Sequence, residues 1–304
     1  MHLDYPSRGI RTLCRLFGKT RHAYYDKQWR QKKNGIEHAI VLELVSQIRQ
    51  EQPRLGTDKL YLLIKNALKQ HQIKLGRDNL HELLHRHGLT IRRRRRRVRT
   101  TDSDHPFRKY PNLIRNLVLT APEQLWVCDI TYISLKAGFS YLSLITDAYS
   151  RKITGYCLHE KLDNKGCIAA LEKALKSRKL FDHPLIHHSD RGIQYCSQAY
   201  VDILGSQGLS ISMTEKGDPY ENAIAERVNG ILKTELGLSK TFDDHPDATA
   251  AVERSILIYN EKRPHASCDF LTPSQAHQQK GILRKRWKHR PFRPKQGYEQ
   301  INTY

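Results

Sequence analysis

Residues 125–133 read LWVCDITYI. Aromatic and β-branched side chains dominate the run, so it is expected to form a strand. Its alternation puts Asp129 on one face with Val127, Thr131 and Ile133. Working outward, Gly138 marks a turn, FSYLSLITDA (139–148) reads as a second strand and RKITGYCLHE (151–160) as a third. KGCIAALEKALKSR (165–178) is an amphipathic helix with Ile168, Leu171, Ala174 and Leu175 as its apolar stripe. PLIHHSD (184–190) is a short strand ending at Asp190. SQAYVDILGSQGL (197–209) is a helix and LSISM (209–213) a last short strand. Pro219 then opens a helix that carries Glu226. Three strands, helix, strand, helix, strand, helix is an α/β layer plan.

Three acids stand out on this plan. Asp129 lies within a strand, Asp190 just past the C-terminal end of another, where ligands collect in open α/β sheets, and Glu226 on a helix. Like charges do not converge cheaply, and divalent cations remove that cost. Oxygen ligands suit Mg²⁺ (or Mn²⁺), and two such ions stabilise the attacking and leaving oxygens of an in-line phosphoryl displacement. Lys233 follows Glu226 by seven residues, about 20° away in azimuth, so the two share a helix face while Ile224, Val228, Ile231 and Leu232 anchor the other. Periodicity alone favours reading Glu226 and Lys233 as solvent-facing charges on an ordinary amphipathic helix.

Composition names the partner class. The 304 residues hold 52 Lys and Arg against 31 acids, a formal charge of +21, with 38% hydrophobic residues. A core can form, and a polyanion, most commonly nucleic acid, is the economical partner for the excess; with the motifs quoted below, the expected partner is double-stranded DNA. Arg92, Arg93, Arg94, Arg95, Arg96 and Arg97 are consecutive. They repel and will not pack, which suits an arm that tracks phosphates. Arg284, Lys285 and Arg286 open a basic tail, interleaved by Trp287 and Phe292, that fits phosphate contact with stacking. Arg191, Gln194, Tyr195 and Asn222 lie beside the acids in sequence as candidate DNA contacts, with helix capping the other reading of Asn222. One of His187 and His188 is expected to assist Asp190 and the other to pack. Asp147 with Arg151 reads as a structural ion pair. Asn260, Arg263 and His265 are expected to pack near the end of the core or to touch DNA.

The six cysteines form no CxxC pair, which argues against a zinc knuckle or a redox dithiol. No apolar run reaches the roughly 18–20 residues a membrane span needs, and the N-terminus lacks a signal peptide's apolar core. A cytoplasmic, nucleoid-associated protein without membrane contact is expected.

The N-terminal third is helical in pattern. Ile10, Leu13 and Leu16 or Phe17 have helical spacing, Gly18 punctuates, and Thr20 caps a second helix, the pattern of a helix-turn-helix. Residues 36–50 form a helix with apolar positions 40, 41, 44, 45 and 48. Pro53 and Gly56 break it, and Thr57 is placed to cap a further helix with Leu60, Leu63, Ile64 and Leu68 inward. RDNLHELLHRH (77–87) closes at Gly88. Expected regions are a helical DNA-binding part over 1–90, an arginine-rich linker over 91–120, a catalytic core over 121–280 and a basic tail over 281–304.

WVCDITYI, YLSLITDAYSRKITGY, HSDRGIQY, KGDPYENAIAERVNGILKTE and YNEKRPHASCDFLTP, in this order, resemble the transposase of the insertion-sequence-three family, the product of that element's second reading frame. The resemblance implies a ribonuclease H-like core of the retroviral-integrase type, with Asp129, Asp190 and Glu226 as its catalytic and metal-binding acids and Lys233 as the associated basic residue. It also implies a homo-oligomer on DNA and a partner from the upstream reading frame. Cys128 stands where threonine is usual, and Glu221 where aspartate is. Glu221 competes with Glu226 as third acid but occupies a different helix face. A non-catalytic DNA-binding regulator derived from a transposase, and a ribonuclease H-like nuclease, are the alternatives.

Overall fold

The computed structural model describes residues 10–91, 106–179, 183–215, 222–284 and 286. These residues divide into two compact units, one built on residues 10–91 with Lys233–Gly237, the other on the remainder.

The first unit is helical. Helix α1 (Ile10–Leu16) leads through Gly18, whose φ is +61°, into α2 (Arg21–Glu51). The Thr20 hydroxyl accepts from Ala23 N at 3.1 Å and caps α2 as expected. The two helices expected on either side of Gly35 are one helix of 31 residues. An isolated glycine inside a long helical pattern costs only about 1 kcal/mol relative to alanine, too little to end it. Helices α3 (Thr57–Gln70) and α4 (Arg77–Arg86) complete the unit. Gly56, not Thr57, is the cap of α3; the Thr57 hydroxyl bonds instead to His81 Nδ1 at 3.3 Å. Val41, Val45, Leu60, Ile64, Leu68, Leu80 and Leu84 form the core. Leu63 is 37% exposed and outside it, because the buried seam of α3 follows 60, 64 and 68. Gly88 (φ +67°) follows the α4 cap at His87 and ends that helix as expected.

The second unit is a five-stranded sheet with its helices. The strands are β1 (Leu125–Leu135), β2 (Gly138–Asp147), β3 (Ile153–His159), β4 (Ile186–Ser189) and β5 (Ser210–Met213), in the order β3-β2-β1-β4-β5. β2 runs antiparallel to β1 and β3, while β4 is parallel to β1 and β5 parallel to β4. This is the ribonuclease H-like sheet. Helix α5 (Asn164–Ser177) and helices α6 (Ile193–Cys196) and α7 (Gln198–Ser206) cover one face, where Trp126 and Cys128 meet Ala170, Leu171, Tyr200 and Leu204. Leu125 and Val127 face the other way, toward Ala225 of α8 (Ala223–Thr234). The period-two alternation of β1 therefore puts Asp129 on the α8 side.

The seam of α5 is Cys167, Ala170, Leu171 and Ala174, with Ile168 and Leu175 only partly buried at its margin. Small residues dominate because β3 comes very close. A Cβ on Gly155 would overlap Ala170 O and lie 2.7 Å from Ala174 Cβ. Four described elements went unread in the sequence: the single turn α6, α9 (His245–Glu261), which is capped by Asp244 and packed against β1 and β3, a 3-10 turn (Ala266–Cys268) and the short helix α10 (Pro273–Ala276). Part of the segment expected as a linker is docked: Leu113 N donates to Ser212 Oγ (2.9 Å) and Met213 N to Pro111 O (3.3 Å). Among the described residues no helix is long and apolar enough to cross a membrane.

Candidate active site

β1 and β4 pair in parallel through Leu125–Ile186, Trp126–His187 and Val127–His188. Two residues beyond Val127 comes Asp129, and two beyond His188 comes Asp190. The two acids thus occupy matching positions on neighbouring parallel strands, and both line one cleft together with Tyr132, Tyr141, Ile193 and Gln194. Asp190 is steadied by Gly192, whose N–H donates to its Oδ1 at 3.0 Å as the chain turns into α6.

Asp129 is held at both oxygens. Its Oδ1 accepts from Ile130 N (2.9 Å) and its Oδ2 from Asn229 Nδ2 on α8 (2.7 Å). Burial pushes its carboxyl up to about 7. The charge of Asp190 adds to the rise, the two hydrogen bonds oppose it, and Glu226 adds a further upward push. Glu226 itself is exposed, in the first turn of α8. Lys233 lies in the last turn of that helix and is partly buried. Among the described residues, no group of three His, Cys, Asp or Glu side chains is close enough to hold a metal ion. The structure brings Asp129 and Asp190 into one cleft, and Glu226 into electrostatic reach of Asp129 but not into a three-acid cage.

The donors at the cleft suit a hard cation. They are the carboxylate oxygens of Asp129 and Asp190; behind them Asn229, bonded to Asp129 from α8, buries an Oδ1 that has no hydrogen-bond partner. An orphaned carbonyl beside two mutually repelling acids fits a site completed by a cation and its waters. Asn229 was not singled out in the sequence. Its signal there is a polar residue inside the apolar seam of Ala225, Val228 and Leu232, three positions after Glu226.

Two integrase core domain families match the chain, over residues 120–219 and 207–273. A 31 kDa protein of the insertion element IS600 from Shigella sonnei is 34% identical across 86% of this chain and 96% of its own length. The transposase of IS904 from Lactococcus lactis is 30% identical across 80% and 96%. Transposase InsF of IS3A from Escherichia coli K12 is 29% identical across 88% and 93%. The chain belongs to the IS3-family transposases. Among solved structures, the catalytic core domain of HTLV-2 integrase in complex with magnesium is similar over 52% of this chain and 98% of that one, at 22% identity and a TM-score of 0.42.

Several side chains expected at the transposase's DNA surface are elsewhere. Asn222 is buried, and its Nδ2 donates to Cys128 O at 2.9 Å; that amide clasps α8 to β1 rather than facing DNA. Tyr195 is 3% exposed and belongs to the core under α5. Arg191 stays partly exposed next to Asp190. Arg284 is exposed, and Arg286 pairs with Asp269 while its N–H donates to Ala266 O, which straps the start of the basic tail to the domain. Arg92 to Arg97, Lys285, Trp287, Phe292, Pro219 and Glu221 lie outside the described residues.

His187 is packing: its Nε2 meets Tyr200 OH (2.8 Å) and Cys128 Sγ (2.9 Å), and burial pushes its pKa down to about 3. His188 Nδ1 bonds with Ser212 Oγ at 2.9 Å. Asp147 is not paired with the Arg151 side chain. Its carboxylate caps a turn through Ser150 N and Oγ, accepts from Glu123 N, and has His277 3.8 Å away. Arg151 meets Asp147 through the backbone instead: at φ +67°, its N–H donates to Asp147 O at 2.9 Å. Asn260 pairs both ways with the Ile153 backbone (3.0 Å each), and Arg263 and His265 are buried, so all three pack.

Proposed function

We propose that this DNA transposase cuts at the ends of its insertion sequence and joins the freed 3′-hydroxyl to a second phosphodiester, with Asp129, Asp190 and Glu226 as its catalytic acids. The supporting observation is that Asp129 on β1 and Asp190 just past β4 stand at matching register positions of paired parallel strands and line one cleft, where burial first and the Asp190 charge second raise the Asp129 carboxyl to about 7. Acids kept at that cost in stability are what a cation site requires.

Integrase-like enzymes of this type use divalent metal ions. Here Asp129 and Asp190, joined by Glu226 from α8, would hold Mg²⁺ or Mn²⁺, two ions per site. When bound, the ions activate the attacking oxygen and stabilise the leaving one. The chain's own share is positional. β1 and β4 hold two carboxylates in register, Gly192 N and Ile130 N fix one oxygen of each, and α8 brings the third acid alongside. Water is the first nucleophile and the 3′-hydroxyl the second, so no covalent enzyme intermediate is formed. Lys233 and Arg191 contact the DNA beside the acids, and the arginine run 92–97 and the basic tail follow its phosphates. Two element ends must meet, which calls for a homo-oligomer on DNA, aided by the upstream-frame protein in the cytoplasm at the nucleoid.

The test supplies pre-cut element ends and target DNA with Mg²⁺ or Mn²⁺ to the wild type, Asp129→Asn and Glu226→Gln. The expected result is joining by the wild type alone, with all three proteins binding ends equally. Equal binding with no joining by any protein supports a DNA-binding regulator instead. Cleavage confined to RNA–DNA hybrids supports a ribonuclease.

A further inference from the structure

Asn229 sits one turn after Glu226, inside the seam of Ala225, Val228 and Leu232 that packs α8 onto the sheet. An amide there is expensive, since a leucine would fill the same seam without burying polar atoms. Its Nδ2 donates to Asp129 Oδ2 at 2.7 Å, while its Oδ1 is buried with no partner. With Ile130 N on the other oxygen at 2.9 Å, each oxygen of Asp129 is held by one donor and keeps a lone pair for the cleft. A second amide works nearby. Asn222 Nδ2 donates to Cys128 O, the carbonyl just before Asp129, at 2.9 Å. The two amides clasp the start of α8 to β1 on either side of Glu226.

We propose that Asn229 is a positioning residue for the reaction: it sets the rotamer of Asp129 for a divalent cation, keeps the turn bearing Glu226 against it, and offers its carbonyl to a water of that ion's shell. The inference rests on reading Asp129 as a cation ligand. The open hydrogen bond on the amide is then the place of a donor that arrives with the ion. Asn222 Oδ1 is buried without a partner as well; what sets Asn229 apart is that its amide bonds a carboxylate oxygen of Asp129 rather than a backbone carbonyl.

The experiment uses the full chain with Asn229→Leu, Asn229→Gln and Asp129→Asn. Mn²⁺ binding is followed by electron paramagnetic resonance, strand transfer by kcat and the KM for DNA, and folding by circular dichroism and thermal melting. Loss of a side chain that orients a ligand costs about 10–100-fold in metal affinity or activity. That loss is expected for Asn229→Leu in both Mn²⁺ affinity and kcat, with KM for DNA within about two-fold, and Asn229→Gln is expected to recover part of it. A leucine variant that binds Mn²⁺ and turns over like the wild type, while Asp129→Asn does neither, overturns the role of Asn229 alone. Retention of both by Asp129→Asn overturns the underlying reading of the site. Should the leucine variant not fold, Asn229→Ser, whose hydroxyl is too short to reach Asp129, carries the same two outcomes.

Discussion

The backbone N–H of Gly192 donates to Asp190 Oδ1 at 3.0 Å, and a Cβ on that glycine would stand 3.0 Å from the same oxygen. The second distance is tighter than ordinary contact, and Gln194 Oε1 at 3.3 Å closes the other side. Gly192→Ala would therefore push the carboxylate by a few tenths of an ångström while leaving its hydrogen bond formally possible. Displacements of about 1 Å at reacting groups cost on the order of 100-fold. The expected outcome is a roughly ten-fold fall in strand-transfer rate with a melting temperature within about 2 °C of wild type, read from joining assays and thermal melts on one preparation.

Asp129 gives the metal-free protein a pH signature. Its carboxyl is raised from 3.8 to about 7, first by burial and then by Asp190. The folded state thus holds the proton more tightly than the unfolded chain does. The stability this lends is fully present below about pH 4 and is lost as pH rises through about 7. Between pH 5 and 8 the melting temperature of wild type should fall by a few degrees more than that of Asp129→Asn. Adding Mg²⁺ at pH 8 should restore the difference, because the ion takes the proton's place, and should do little at pH 5. Parallel melting curves for the two proteins would show that Asp129 is not the group responsible.

His187 predicts the opposite slope. Burial lowers its pKa from 6.5 to about 3, so the folded state refuses a proton that the unfolded chain accepts. Its contribution to stability is present above about 6.5 and is lost as pH falls toward 3. His187→Gln should cost about 1–3 kcal/mol at pH 7, where the bonds to Tyr200 OH and Cys128 Sγ are broken. Its acid limb should then be flatter than wild type, so the two denaturation curves converge near pH 4.

Of the glycines in the sheet's strands, Gly155 has no room for a side chain while Gly138 stands in open space. A methyl group there meets Ala170 O and Ala174 Cβ, backbone and seam atoms of α5 that have nowhere to go. Gly155→Ala should destabilise by about 3 kcal/mol or more, seen as loss of soluble protein or a much lower denaturant midpoint. A double variant with Ala174→Gly should recover only part, because the Ala170 carbonyl remains.

The sheet is legible because its strands carry period-two alternation and are punctuated by turns, and that alternation alone puts Asp129 on the face of Val127, which packs toward α8. The helices blurred where a local signal competed with context. The pattern over 36–50 reads as a separate helix, yet the long α2 runs unbroken from Arg21 to Glu51. α9 is strongly capped by Asp244, but its stripe is mixed, with Leu257 at 61% exposure beside buried Ile256 and Ile258. At the site, the acids were visible as residue types. The partners that hold them were not, because Asn229 and Asn222 reach β1 from about 100 residues away in sequence. Tyr195 and Asn222 were misread for the same reason: closeness to Asp190 or Glu226 along the chain says nothing about which way a side chain turns.

Strand pairing has a consequence for how such chains tolerate change. Between β1 and β4 the chain forms two strands, turns and a helix whose lengths can drift, since none of them sets where the acids meet. What sets it is the two-residue overhang past Val127 and past His188. Deleting one residue from either overhang turns the following acid to the opposite face of the sheet. A one-codon deletion there should thus be as damaging as removing the carboxylate, whereas an insertion at the tip of the Leu135–Gly138 hairpin should leave the acids where they are.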